Sequence, residues 1–105
     1  MKNSDVCKNF VNGVISKTKH LFIEKSRNGV IVLYSYGYHF PLGIKLIDNN
    51  FLVNQNRYSN TTSRHKSNLL NCLNKDNILF CNTEKLKEII DKGFKTITEI
   101  SEDKI

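Results

Sequence analysis

The sequence predicts an α+β domain, with an antiparallel sheet of four to five short strands and two helices packed on one of its faces. Its 105 residues suit a single core. The middle third alternates runs of β-branched and aromatic residues with polar turns, and the second half has two segments with apolar residues at helical spacing. We expect one domain over residues 1–105, frayed at the first few residues and at about 101–105.

Residues 5–19 have two interpretations. Five apolar residues would fall on one side of a helical wheel, namely Val6, Phe10, Val11, Val14 and Ile15. In contrast, the dipeptide Asn12-Gly13 in the middle of this segment is typical of a β-hairpin turn. The sequence therefore leaves both a hairpin and a short broken helix open.

Four strands are predicted between residues 21 and 53. They cover residues 21–23, 30–36, 42–47 and 51–53, with polar turns at 26–29 and 48–50. Residues 30–36 are expected to form a central strand because they are rich in β-branched and aromatic side chains. Gly37 and Pro41 interrupt the chain before the third strand.

Two helices and two further strands are predicted in the second half. Thr61 or Thr62 caps a helix that runs to about Leu73. Residues 78–81 form a short strand, after which Asn82 or Thr83 caps a second helix that spans about residues 83–92 and ends at Gly93. Residues 96–100 are predicted to add a last strand.

Positive charge is concentrated in the first 75 residues. This part holds 11 Lys and Arg against 3 acidic residues, whereas residues 76–105 hold 5 Lys against 7 acidic residues. Between Lys25 and Lys75 the only acidic residue is Asp48. Such a one-sided field attracts phosphates or an acidic protein surface. The alternative is a solvated surface that only maintains solubility.

Residues 57–66 are the first candidate site. They combine the free N–H groups of a helix N-terminus with hydroxyl donors and three cations, a pattern typical of an anion receptor. Cations at the positive end of a helix disfavour folding, which indicates a role outside the fold. The alternative is that the hydroxyls only form caps and turns. The candidate binding residues are Arg57, Tyr58, Ser59, Thr61, Thr62, Arg64, His65 and Lys66.

An aromatic segment at residues 34–40 is the second candidate site. In an uninterrupted strand Tyr34, Tyr36 and Tyr38 would share one face, where exposed rings suit base stacking or a protein interface. The alternative is that this face packs beneath the helices. Tyr36, Tyr38 and His39 are the binding candidates here.

No catalytic or cofactor motif is recognised. Paired carboxylates are missing from the basic region, His65 and Cys72 are too far apart along one helix to form a nucleophile–base pair, and the three histidines lack metal-ligand spacing. We predict a protein that is not an enzyme, with no cofactor and no metal. Cys7, Cys72 and Cys81 are expected to be free, buried thiols. The sequence has no signal peptide and no membrane span, so a cytoplasmic location in a bacterial host is expected.

Two strings resemble a family of small, uncharacterised proteins encoded by phages and plasmids. The strings are a YSYG-like strand end and a YSxTTS[KR]H segment some twenty residues later, and the resemblance covers roughly residues 10–73. It implies a phage or mobile-element setting, without an activity or catalytic residues to transfer. The matching positions are Tyr34, Ser35, Tyr36, Gly37, Tyr58, Ser59, Thr61, Thr62, Arg64 and His65.

The predicted function is non-catalytic binding. The basic surface would bind and inhibit a host complex that handles nucleic acid, in the manner of an anti-CRISPR or anti-restriction protein. The second hypothesis is an accessory protein that binds DNA or RNA directly, and the third is a small enzyme. The sequence indicates neither a membrane partner nor an oligomeric state.

Overall fold

The computed structural model describes residues 1–57 and 59–102 and contains a five-stranded sheet with helices on both faces. Spatial order in the sheet follows chain order. The strands are β1 (Leu21–Lys25), β2 (Ile31–Ser35), β3 (Pro41–Lys45), β4 (Phe51–Asn54) and β5 (Ile78–Cys81). The helices are α1 (Asn3–Val11), α2 (Asn60–Asn71), α3 (Thr83–Lys92) and α4 (Ile97–Glu102), and a 3₁₀ turn spans Lys75–Asn77.

The sheet is mixed and mostly antiparallel. Strands β1 to β4 form an antiparallel meander with short turns, and β5 pairs parallel to β4. A parallel partner needs a long crossover, which α2 supplies here. The predicted α+β class is confirmed, with the parallel pairing of β5 as an addition.

The helices are divided between the two faces of the sheet. Helices α1 and α2 pack on the face that contains Leu33 and Val53, whereas α3 and α4 cover the face that contains Val32 and Leu52. The interior strands are apolar at nearly every position, so both of their faces must be buried. The expectation that the helices after β4 and β5 share one face is therefore wrong for α2 and α3.

The two ends of the chain resolve one open prediction and correct another. Residues 3–11 form a helix, and Asn12-Gly13 is the turn that ends it, with Gly13 at φ 74°. Residues 97–102 form α4 rather than the predicted strand at 96–100. Thr96 explains this outcome, because its Oγ1 accepts a hydrogen bond from Glu99 N at 3.2 Å and so caps the helix.

The thiols and the helices carry two further results. Cys7 is buried, Cys72 and Cys81 are half-buried, and no disulfide joins any of the three. Within residues 1–57 and 59–102, no helix is both long enough and apolar enough to cross a bilayer.

Candidate functional site

The N-termini of α2 and α3 lie close together at the carboxyl ends of β4 and β5, because these two strands run in the same direction. Two asparagines, one at the end of β4 and one just after it, connect these helix ends. Asn54 Nδ2 donates to the Pro41 carbonyl at 2.8 Å and to Thr83 Oγ1 at 2.9 Å, and Asn56 Oδ1 accepts from Thr83 N at 2.6 Å. The residues before α2 therefore lie beside the start of α3.

Ser59 is the N-cap of α2. Its Oγ accepts a hydrogen bond from Thr62 N at 3.1 Å, which satisfies one of the free N–H groups at the helix end. The expected cap at Thr61 or Thr62 is wrong, because both residues lie inside the first turn. The N-terminus of α2 is thus partly satisfied by its own side chain.

A chain of hydroxyl groups runs from the half-buried Ser59 to the buried His65. Ser59 Oγ lies 3.1 Å from Thr62 Oγ1, Thr62 Oγ1 lies 3.2 Å from Ser35 Oγ, and Ser35 Oγ lies 2.7 Å from His65 Nδ1. Each hydroxyl can donate to the next group, with His65 Nδ1 as the final acceptor. We call these four residues the hydroxyl chain, and it fastens the first two turns of α2 to the end of β2.

The environment of His65 favours the neutral imidazole. Burial lowers the pKa of His65, and the nearby His20 lowers it further. A neutral ring with an unprotonated Nδ1 accepts the Ser35 hydroxyl proton, which agrees with the direction of the hydroxyl chain.

Tyr36 closes this cluster on the outside. It follows β2 with φ at +70°, a conformation that non-glycine residues rarely adopt. Its ring stacks on His20 at 4.4 Å and on His65 at 5.8 Å between ring centroids, and its N–H donates to the His20 carbonyl at 2.7 Å. The Tyr36 side chain is still 41% exposed, so one part of the ring is accessible beside α2.

The predicted row of three tyrosines on one face is wrong. Strand β2 ends at Ser35, and the left-handed conformation of Tyr36 turns its ring toward α2. Tyr34 instead packs in the core beneath α3, where Tyr38 lies against it and against Phe22. A hydrogen bond with Glu24 raises the pKa of Tyr38. Tyr36 and Tyr38 therefore belong to different surfaces.

Three cations surround the start of α2, and we call Arg57, Arg64 and Lys66 the α2 basic surface. Arg57 Nη2 donates to Asn60 Oδ1 at 2.7 Å, and Arg64 lies one helical turn after Asn60 on the same exposed face. Lys66 Nζ donates to the Asn56 carbonyl at 2.8 Å, and burial lowers the pKa of this ammonium group. These partners are neutral.

The cations of the α2 basic surface form no ion pair with a described residue. The ion pairs within residues 1–57 and 59–102 are those of Glu88 with Lys85 and Lys92 on α3. Helix α2 also has no acidic residue in its first turn. Two of the three cations of the α2 basic surface are thus held by neutral partners, and none of the three forms an ion pair with a described carboxylate.

The structure separates the predicted site residues into three groups. Arg57, Arg64, Tyr36, Tyr38 and His39 are exposed, and Ser59, Thr61 and Lys66 are half-buried. Thr62 and His65 are buried, so they support the site rather than form its surface. Tyr58 lies outside the described residues.

Sequence reasoning missed Ser35 and His20. Ser35 lies between two tyrosines and enters the prediction only as a position that matches the resembling family, and His20 comes from a part of the chain without any site pattern. A polar residue inside an otherwise apolar strand was the available signal for Ser35, because a buried hydroxyl needs a partner.

The Ser35–His65 contact has the distance of a nucleophile–base pair. Ser35 and His65 are, however, only 0% and 2% exposed, and the hydroxyl of Ser35 already has two neighbours in the hydroxyl chain. This enclosure suits a structural contact rather than attack on a substrate. Among the described residues, no three His, Cys, Asp or Glu side chains are arranged to hold a metal ion.

Taken together, the fold and the site define a small α+β domain with a basic surface around the start of α2, near the carboxyl ends of β4 and β5. Residues 9–88 match a family of unknown function, DUF8033, and the chain belongs to this family. The resemblance noted from the sequence covers roughly residues 10–73, and the family match extends beyond it to include β5 and most of α3. No curated protein and no solved structure matches the chain.

Proposed function

We propose that this protein is a non-catalytic inhibitor encoded by a phage or mobile element, which acts inside the bacterial cell. In this proposal the α2 basic surface binds an anionic patch on a host complex that handles nucleic acid, of the CRISPR or restriction type. The observation that carries the proposal is the α2 basic surface itself, with three cations around the first two turns of α2 and no described carboxylate in an ion pair with them.

The energetics of α2 support a role for these cations outside the fold. A cation near a helix N-terminus costs about 0.3–1 kcal/mol, because it opposes the helix dipole. Helix α3 follows the favourable pattern, with Glu84 in its first turn and Lys92 in its last. Helix α2 has no acidic residue in its first turn, and Arg57 and Arg64 lie just before and just after that turn, so its charges do not follow this pattern. This difference fits selection for binding at α2.

The hydroxyl chain supports the proposal in a second way. It joins α2 to β2 through the contact between Ser35 and His65, so the basic surface is presented on a fixed support. A binding surface that is ordered before binding loses less conformational entropy in the complex.

Direct binding to DNA or RNA is the second candidate, favoured by the position of Tyr36. Its partly exposed ring lies beside the α2 basic surface, and stacking on an aromatic ring next to cations is a common mode of single-strand binding. The two candidates use the same cations and differ in the partner.

Charge reversal tests the proposal. We expect the double variant Arg57→Glu, Arg64→Glu to lose inhibition of CRISPR interference or restriction in a phage plating assay and to melt at or above the temperature of the wild type, because acids near a helix N-terminus are favourable. The matched control is Lys25→Glu, Arg27→Glu, which reverses two exposed cations at the turn between β1 and β2. Equal loss in both variants, or activity unchanged in the first, would show that the α2 basic surface is not the site.

A salt titration separates the two candidates. A direct nucleic-acid binder that uses three phosphate contacts should show a slope of about −2.1 for log affinity against log salt on single-stranded DNA, and about −0.7 after the double reversal. An inhibitor directed at a protein complex should give no gel shift alone and should still abolish cleavage by its target.

A further inference from the structure

The two outer strands of the sheet, β1 and β5, differ in whether their outer edges are covered. The outer edge of β1 is covered by the preceding segment, since Lys17 bridges to Phe22, Thr18 N donates to the Leu21 carbonyl at 2.8 Å and Ile23 N donates to the Ser16 carbonyl at 3.1 Å. At the other edge, no described strand pairs with the outer side of β5. The edge of β5 is thus the open end of the hydrogen-bonded sheet in residues 1–57 and 59–102.

Strand β5 has four residues and lacks the charged residue or proline that protects many exposed edges. Its sequence, Ile-Leu-Phe-Cys, contains no charge and no proline. Leu79 is 48% exposed and Phe80 is 53% exposed, and they lie on opposite faces of the sheet. An apolar, uncharged edge of this kind pairs readily with another strand.

The backbone direction shows which groups are available for pairing. Gln55 N donates to the Cys81 carbonyl, so the polar backbone groups of Cys81 face β4. Because these groups alternate along a strand, those of Leu79 also face β4, and those of Ile78 and Phe80 face outward. Two outward-facing residues therefore flank Leu79.

We infer that the protein self-associates through β5, with two copies pairing antiparallel about a two-fold axis at Leu79. In this register Ile78 of each copy exchanges backbone hydrogen bonds with Phe80 of the other copy, and the two Leu79 side chains meet on the axis. The edge is self-complementary, because the same two residues supply all the donors and acceptors on both sides.

Charge favours a second copy as the occupant. Antiparallel pairing brings Lys75, just before β5, toward Glu84 of the other copy, just after its β5. Residues 76–105 hold 5 Lys and 7 acidic residues, so this edge lacks the strong positive charge of the first 75 residues. The two-fold axis also places the two α2 basic surfaces at opposite ends of the joined sheet, which limits their mutual repulsion.

The oligomeric state in solution tests this inference. Sedimentation velocity of the wild type should show a monomer at low micromolar concentration and a dimer at higher concentration. Leu79→Lys should remain monomeric throughout, because a lysine at an open edge disfavours pairing. Ile47→Lys is the matched control, since Ile47 is 71% exposed away from β5, and this variant should dimerise like the wild type.

A cross-link tests the register directly. Directly opposed residues that do not share hydrogen bonds are about 4.5 Å apart between Cα atoms, which is within the range of a disulfide. Leu79→Cys should therefore form a covalent dimer under mild oxidation, whereas Ile47→Cys and the wild type, which controls for the native thiols, should not.

Three results would overturn the inference: a wild type that stays monomeric up to near-millimolar concentration, dimerisation of Leu79→Lys equal to that of the wild type, or equal cross-linking of the two cysteine variants. If Leu79→Lys fails to fold, Phe80→Pro replaces it, because that change removes an outward N–H and leaves the bonds to β4. These readouts are independent of inhibition and of nucleic-acid binding.

Discussion

Ser35 connects the strand end to the helix that carries the candidate site. Its hydroxyl lies between Thr62 Oγ1 and His65 Nδ1 in a fully buried position. Ser35→Ala would leave these two buried groups without their shared partner, so we expect a loss of about 1–3 kcal/mol in the free energy of unfolding, measured by urea denaturation. The control is Ser63→Ala, which removes a half-buried hydroxyl bonded to the Ser59 carbonyl and should cost less than about 0.5 kcal/mol. A Ser35→Ala variant as stable as the control would contradict the role of the hydroxyl chain.

His65 makes stability depend on pH. Because burial lowers its pKa in the folded protein, the unfolded chain binds a proton more readily, and protonation favours unfolding. The His65 contribution should be complete above about pH 6.5, the usual histidine pKa, and should be lost as the pH falls toward the lower pKa of the folded state.

Urea denaturation between pH 4.5 and pH 8 measures this effect, with the pH values chosen around the usual histidine pKa of about 6.5. We expect His65→Gln to flatten the fall in stability below that pKa. Ser63→Ala, which leaves all three imidazoles in place, is the control and should keep the wild-type profile. An unchanged profile in His65→Gln would exclude this histidine as the source.

At single positions, the sequence indicated residue types better than their exposure. The cations Arg57 and Arg64 were predicted at a helix start and lie there in the open. Thr62 and His65 are predicted as binding residues, but the end of β2 covers them and they are buried. The end of β2 is distant from them in the chain. Local spacing gave no information about this tertiary contact.

Among the elements, α3 shows how much local chemistry can specify. The sequence predicts its N-cap at Asn82 or Thr83 and its end at Gly93, and the structure has Asn82 as the cap and a left-handed Gly93. The strand predicted at residues 96–100 was wrong, since β-branched residues were given more weight than the Thr96-x-x-Glu99 capping pattern. Propensity was overridden there by side-chain hydrogen bonds.

Gly93 is required by both its backbone and its surroundings. It has φ of 72°, and a Cβ at this position would lie 2.5 Å from Asn28 Cβ. We expect Gly93→Ala to lower the free energy of unfolding by at least about 2 kcal/mol, from backbone strain together with displacement of Asn28. Asn28 Nδ2 now donates to the Asp91 carbonyl at 2.9 Å, a bond that this displacement would break.

Gly13 provides the matched comparison, measured by thermal or urea unfolding. It has a similar φ of 74°, but the atoms nearest to an added Cβ are 3.7 Å away. Gly13→Ala should therefore cost only the backbone strain, about 1 kcal/mol. If both variants lose the same stability, the contact with Asn28 has no energetic role.

For the whole molecule, the sheet divides the interior into two cores. Cys7 lies in the core under α1 and α2 and has no exposed area. Burial raises the pKa of Cys7 to about 12, with a further contribution from Cys72, so little thiolate exists at neutral pH. The Cys7 thiol is therefore protected from modification because reagents cannot reach it and because it stays protonated.

We expect Cys7 to react with iodoacetamide only when the protein unfolds globally. Peptide mapping by mass spectrometry after a labelling pulse, repeated along a urea gradient, should show Cys7 modification that follows the global transition. Cys7→Ala identifies the peptide. Rapid labelling of Cys7 in native buffer would mean that α1 opens independently of the rest.

At this scale the fold class could be predicted from the sequence, but the two-faced layering could not. Runs such as residues 30–34 are apolar throughout, which already indicates strands buried on both faces, yet the choice of face for α2 and α3 depends on the parallel pairing of β5. That pairing joins segments separated by residues 55–77, beyond the reach of any local pattern.

The long crossover before β5 has a consequence during synthesis. The first four strands are joined by short turns and can pair as soon as they leave the ribosome, whereas β5 emerges only after residues 55–77 have been added. For that interval the edge of β4 is uncovered on the nascent chain. We expect a chaperone that recognises unpaired strands to bind this protein before β5 appears and to release it once β5 has docked.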